Sequence, residues 1–129
     1  MNPPRVVFDT NILVSALMSP LGNPSKIYKM FLTGAITLAY SDEIISEYKE
    51  VLSRPRLRIP VDDSNKILDA IQQNGERIEP VLSTFHMVDE DDRVYYDTAK
   101  SASAYLITGN TKHYPVEPFI FTPTEFLEL

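Results

Sequence analysis

Four residues have types and positions that could share one chemistry: Asp9, Glu47, Asp92 and Asn110. Asp9 follows the apolar run at residues 6–8 in "RVVFDTN", and Asn110 follows Gly109 in "YLITGN". Apolar runs rich in Val, Ile, Leu, Phe and Tyr suit strands covered on both faces. The first polar side chain after such a strand projects beyond its end. Carboxylates gathered in one crevice repel one another and stay ionised together only if a cation neutralises them. An all-oxygen set without thiolates favours a hard cation, Mg²⁺ or Mn²⁺. Such an ion keeps waters and recruits phosphates. One water can attack phosphorus, and a second ion can steady the leaving oxygen. The chemistry so described is phosphodiester hydrolysis.

The elements that must position these residues alternate along the chain. Strands are expected over residues 6–8, 35–40, 104–108 and 119–121. Helices are expected over about 23–32, 41–53, 61–74 and 89–103, with a last helical turn over 122–129. Residues 77–81 suit either a short strand or an extended connection. Pro24 fits a first helical turn, Ser41 an N-cap, and Asn74-Gly75 a helix stop. This alternation predicts an α/β fold, three layers with a mostly parallel central sheet, and one domain over residues 1–129. Ligands of such sheets bind beyond the carboxyl ends of the strands. Asp9 and Asn110 enter one crevice if their strands are neighbours.

Helical geometry selects among the other acids. In 41–53 the arc of Ile44, Ile45, Tyr48, Val51 and Leu52 is apolar, and Glu47 lies about 40° past its edge. Glu43 and Glu50 lie further toward solvent. In "DEDDRVYYDTAKSASA" the buried arc is Tyr95, Ala99 and Ala102, with Asp92 about 50° from its centre. Asp97 lies nearly opposite, is expected to face solvent, and is a minor metal-ligand candidate. Helix capping is the ordinary role open to Asp91 and Asp92. Thr10, Asn11 and Thr108 are substrate-binding candidates. Turn bonding explains Thr10 and Asn11 about as well, and a strand position explains Thr108. His113 and Lys112 are expected on an exposed loop at the crevice rim.

The 129 residues contain no cysteine, which removes disulfides and thiolate metal sites and fits a reducing cytoplasm. No apolar run is long enough to span a membrane, and "MNPPRVVFD" has no signal-peptide core. Net charge is −6, so nucleic acid would need local positive charge or metal ions to approach. No P-loop, GxGxxG or nucleophile elbow occurs. A haloacid-dehalogenase reading of "DTN" needs a second Asp where Asn11 stands.

Taken in order, three segments resemble the PIN-domain family, near its VapC-like toxin members. "VVFDTNILVSAL" resembles the family's opening strand, acid and helix. "SDEIISEYKEVLSRP" resembles its glutamate helix, and "DEDDRVYYDTAKSASAYLITGN" its third segment. The resemblance implies a Rossmann-like α/β/α fold and a metal-dependent ribonuclease. It also implies a homodimer and, for toxin members, a small antitoxin partner. Carried over, Asp9, Glu47 and Asp92 are metal-binding acids. Asn110 takes the fourth place, where many members have Asp; an amide adds no charge and cannot act as a base. Two rival readings stay open: a PIN-like module that binds RNA or protein without turnover, and an RNA-processing nuclease without an antitoxin.

Overall fold

A computed structural model describes residues 2–129. At its centre lies β1 (Arg5–Phe8), whose Val6, Val7 and Phe8 are all buried. Successive strand residues point to opposite faces, so three buried in succession require cover on both faces. β4 (Tyr105–Ile107) has the same character, with Leu106, Ile107 and the following Thr108 buried. β2 (Thr37–Tyr40), β3 (Glu76–Arg77) and β5 (Ile120–Phe121) complete the sheet. Its order is β3-β2-β1-β4-β5, and every pairing is parallel. The expected three-layer α/β/α architecture is therefore observed.

The helices are α1 (Thr10–Met18), α2 (Asn23–Leu32), α3 (Asp42–Leu52), α4 (Val61–Asn74), α5 (Arg93–Ala102) and α6 (Pro123–Leu127). Periodicity alone does not mark α1; it is the helix implied by the family resemblance. α3 buries the apolar arc expected of it, with the Ser41 hydroxyl accepting from the Ile44 N–H at 3.2 Å. α4 ends at Gly75, where a Cβ would stand 2.4 Å from the Ile71 carbonyl and 2.6 Å from that of Leu38. Only glycine fits that approach. Beyond β3 the chain runs without regular structure to a 3₁₀ turn at Glu90–Asp92, which leads into α5.

Chain order places the site. β1, β2 and β3 build the sheet in one direction; β4 and β5 build it in the other. The crossover point is the seam between β1 and β4, where Phe8 lies beside Ile107. Crevices at such seams are the usual ligand positions of parallel sheets. Among the described residues, no helix is long and apolar enough to cross a membrane.

Candidate active site at the carboxyl ends of β1 and β4

Asp9 stands on the β1/β4 seam. Its backbone N–H donates to the Ile107 carbonyl at 3.1 Å, continuing the ladder one residue past the strand. Its carboxylate caps α1: Oδ1 accepts the Asn11 N–H at 2.9 Å. Oδ2 accepts the Thr108 hydroxyl at 2.8 Å. Thr108 Oγ1 in turn accepts the Asn110 N–H at 3.1 Å. Burial raises the Asp9 pKa, and the bonds from Thr108, Asn11 and Ile12, with His113 nearby, only partly oppose that. No lysine or arginine pairs with Asp9 among the described residues.

Asp92 comes from the start of α5. Of the roles open to it, capping falls to another residue: Asp89 accepts the Asp91 N–H at 3.0 Å, while Asp92 makes no cap bond. Its Oδ2 is buried without a hydrogen-bond partner. His113 Nδ1 lies 3.3 Å from that oxygen, close enough for a charge interaction but not aligned as a hydrogen bond. Burial, then Asp89 and Asp9, raise the Asp92 pKa, and His113 partly opposes them. The two carboxylates are thus close enough for each other's charge to matter. A carboxylate oxygen buried without a donor, beside a second desolvated carboxylate, fits a cation.

Glu47 projects from an exposed position on α3. Its charge, with those of Asp9 and Asp92, acts on the Tyr95 hydroxyl, which burial already holds in its neutral form. It also acts on Arg54. The expected convergence of three acids on one point is not formed: among the described residues, no three Asp, Glu or His side chains are grouped closely enough to hold a metal ion as they stand. Repulsion between unneutralised carboxylates favours that spread. Tyr95 instead marks the place their fields share.

Asn110 is exposed, and its carboxamide bonds the Nε2 of His113 at 2.9 Å. If the amide NH₂ donates, Nε2 accepts and the neutral ring carries its proton on Nδ1, toward Asp92. His113, expected as a plain loop residue, therefore links two candidate residues. Thr10 is buried, and its hydroxyl pairs with that of Tyr95. Thr108 is buried and fully engaged. Asn11 is exposed and contributes its backbone N–H.

Asp97 differs from expectation. It is buried rather than solvent-facing, and its Oδ2 accepts the Ser83 N–H at 3.1 Å. The connection before α5 crosses the helix face that the sheet leaves open. Phe85 packs edge-on against Tyr96, with ring centroids 5.1 Å apart, and Arg93 donates to the carbonyls of Ser83 and Phe85. A single apolar arc cannot foretell this second cover.

Three tyrosines also line the crevice, and nothing in their spacing singles them out. The Tyr48 hydroxyl donates to the Phe8 carbonyl at 2.5 Å and steadies the residue before Asp9. The Tyr114 hydroxyl is buried without a partner, in the field of both Asp9 and Asp92. With Tyr95 they form a neutral, polar lining. The only signal in the sequence is tyrosine rather than phenylalanine at buried positions.

A sequence profile described as PIN domain matches residues 5–112. A protein of Methanocaldococcus jannaschii named "Uncharacterized protein MJ1680" is 33% identical over 109 residues, which cover 82% of this chain and 70% of the relative. The profile runs from the start of β1 into the turn after β4 and includes Asp9, Glu47, Asp92 and Asn110. The chain belongs to the PIN-domain family.

Proposed function

We propose that the chain is a metal-dependent endoribonuclease that hydrolyses RNA phosphodiester bonds with Mg²⁺ or Mn²⁺, as one nuclease domain over residues 1–129. One observation carries this reading. Two desolvated carboxylates, Asp9 and Asp92, share the seam crevice without a lysine or arginine beside them among the described residues, and Asp92 Oδ2 is buried with His113 Nδ1 3.3 Å away but not aligned as a hydrogen bond. Membership of a family with a nuclease-type fold supports it further.

Asp9 and Asp92 would hold the ion, with Glu47 joining from the rim and Asn110 offering its amide oxygen. When bound, such an ion neutralises the acids and polarises a phosphate oxygen. The chain's own residues do the rest. Thr108 and the Asn11 N–H fix the Asp9 carboxylate, and Tyr48 fixes the strand carbonyl before it. Asn110 cannot take a proton, so the proton released by an attacking water passes to a carboxylate. Glu47 is exposed at the rim and free to receive it. Thr10 and Thr108, expected as substrate contacts with Asn11, are buried against Tyr95 and Asp9. Of the three, Asn11 has the exposed side chain.

The resemblance to VapC-like members favours a toxin role in the cytoplasm, with a small antitoxin and a homodimeric state. The amide at position 110, turned to His113, favours a second reading: a binding module with weakened turnover. Mixed RNA incubated with Mn²⁺, with and without EDTA, separates them. Cleavage that EDTA abolishes supports the nuclease. RNA binding without cleavage at any Mn²⁺ concentration supports the module.

A further inference from the structure

The end of α3 and the start of α4 enclose a pocket of about 280 Å³ that has no part in the crevice. Lys49, Arg54 and Arg58 rim it, Leu52 and Leu68 form its apolar wall, and Ser64 lines it. The Ser64 residue is 8% exposed, and its hydroxyl is buried without a partner. Arg54 is held by Glu50 through two bonds, of 3.2 and 2.8 Å. Lys49 and Arg58 are exposed and enter no ion pair among the described residues. Arg58 closes the turn at Pro55–Leu57 in a left-handed conformation, φ 53°, its N–H donating to the Pro55 carbonyl at 3.1 Å.

Charge is concentrated here against the trend of the chain. Four of its twelve lysines and arginines fall in residues 49–58, with Glu50 the one acid among them, and Asp62 and Asp63 follow in the first turn of α4. On a protein of net charge −6, a cationic rim is where a polyanion can approach. An unpartnered buried hydroxyl and apolar walls behind that rim suit a ligand with an anionic part and a flat, polar-edged part. α3 carries both Glu47 and two residues of this pocket, Lys49 and Leu52. Along α3, Glu47 and Leu52 are about 7.5 Å apart at the helical rise per residue.

We infer that this pocket is a second subsite for single-stranded RNA, with Lys49 and Arg58 on the phosphates and a nucleotide base against Leu52, Leu68 and the Ser64 hydroxyl. It rests on the ribonuclease reading above and names the path the substrate takes across α3. Phosphate neutralisation gives affinity that falls with salt, and stacking or apolar burial of a base adds to it without sequence preference.

The test uses the full chain and a fluorescein-labelled ten-nucleotide RNA of mixed sequence, bound in EDTA across a salt series and cleaved in Mn²⁺. The double variant Lys49→Gln/Arg58→Gln should bind about tenfold more weakly, and its log–log salt slope should flatten by about 1.4, two lost single-strand phosphate contacts. Ser64→Ala should weaken binding by a smaller factor with the slope unchanged. Melting curves confirm that each variant is folded. Wild type that cleaves RNA, with a double variant of unchanged affinity and slope, overturns the subsite and leaves the nuclease reading intact. Binding that is lost in the double variant, without cleavage by wild type, supports the subsite and removes the nuclease reading. A wild type that does not bind the oligonucleotide overturns the subsite as well.

Discussion

At the amino end of β1 the Arg5 guanidinium meets Glu76 of β3 at 2.5 and 3.2 Å, a two-pronged pair with each side chain 40% exposed. Four residues later, at the carboxyl end of the same strand, Asp9 has hydroxyl and N–H donors but no lysine or arginine, and Asp92 adds like charge. One end balances its own charge in water. The other carries a deficit into a desolvated crevice. The difference teaches that the fold does not need Asp9 as a charge. A neutral side chain of the same shape would still cap α1 through its oxygen and could pair with the Thr108 hydroxyl through its NH₂, so neither contact requires the charge.

Breaking the crevice end should have the largest effect. Asp9→Asn keeps the cap and the size of the side chain while removing the charge. Cleavage of RNA in Mn²⁺ should fall by at least about 100-fold, a loss typical of removing one transition-state stabilising group. Initial rates on one RNA substrate measure it; a variant that keeps its rate contradicts the assignment. Metal comes next. Mn²⁺ at a hundred times its dissociation constant should stabilise wild type by about 2.7 kcal/mol, seen as a higher melting temperature. The Asp9→Asn variant should show almost none of that shift.

The amide at position 110 is the next group to replace. Asn110→Asp adds a carboxylate beside Asp9 and Asp92, so the metal-free protein should melt lower and the Mn²⁺ needed for half-maximal cleavage should fall, roughly tenfold. Superimposable rate curves for the two proteins would remove position 110 from the ion's surroundings. A pH series tests the charge deficit itself. Burial raises the pKa of both Asp9 and Asp92, so the folded state holds their protons more tightly than the unfolded chain. Their contribution favours folding in acid and is lost as pH rises through the raised values. Metal-free wild type should therefore lose stability relative to Asp9→Asn between the ordinary carboxylate range and neutrality, and Mn²⁺ should cancel that loss. The smallest effect belongs to the other end. Glu76→Gln should cost at most about 0.5 kcal/mol in a denaturant melt, because solvent screens the pair.

The legibility of these features in the sequence varies with the kind of residue. β1 and β4 are legible because a strand buried on both faces leaves an unbroken apolar run, and Asp9 is simply the first polar residue after one. The neighbouring of those strands, on which the crevice depends, is legible only as a condition, since strand order is not written in periodicity. Asp97 is misplaced because the rule for a helix face assumes one covering surface, and α5 has two. His113 and the three tyrosines escape for another reason. Periodicity gives the face on which a side chain lies, not the height its hydroxyl reaches, and it fixes nothing in the turn after β4. The angle of Glu47 past Val51 gives its side of the helix, which is exposed, but not the distance at which the carboxylate stands.

The bond between Thr108 and Asp9 joins residues 99 positions apart. During synthesis Asp9 emerges 99 residues before its hydroxyl partner. β4 arrives equally late, and with it the wall that makes the crevice. Contacts of such long sequence separation also form slowly once both partners exist. The crevice wall is therefore assembled only once β4 has been made, and Asp9 meets its hydroxyl partner late in the order of synthesis.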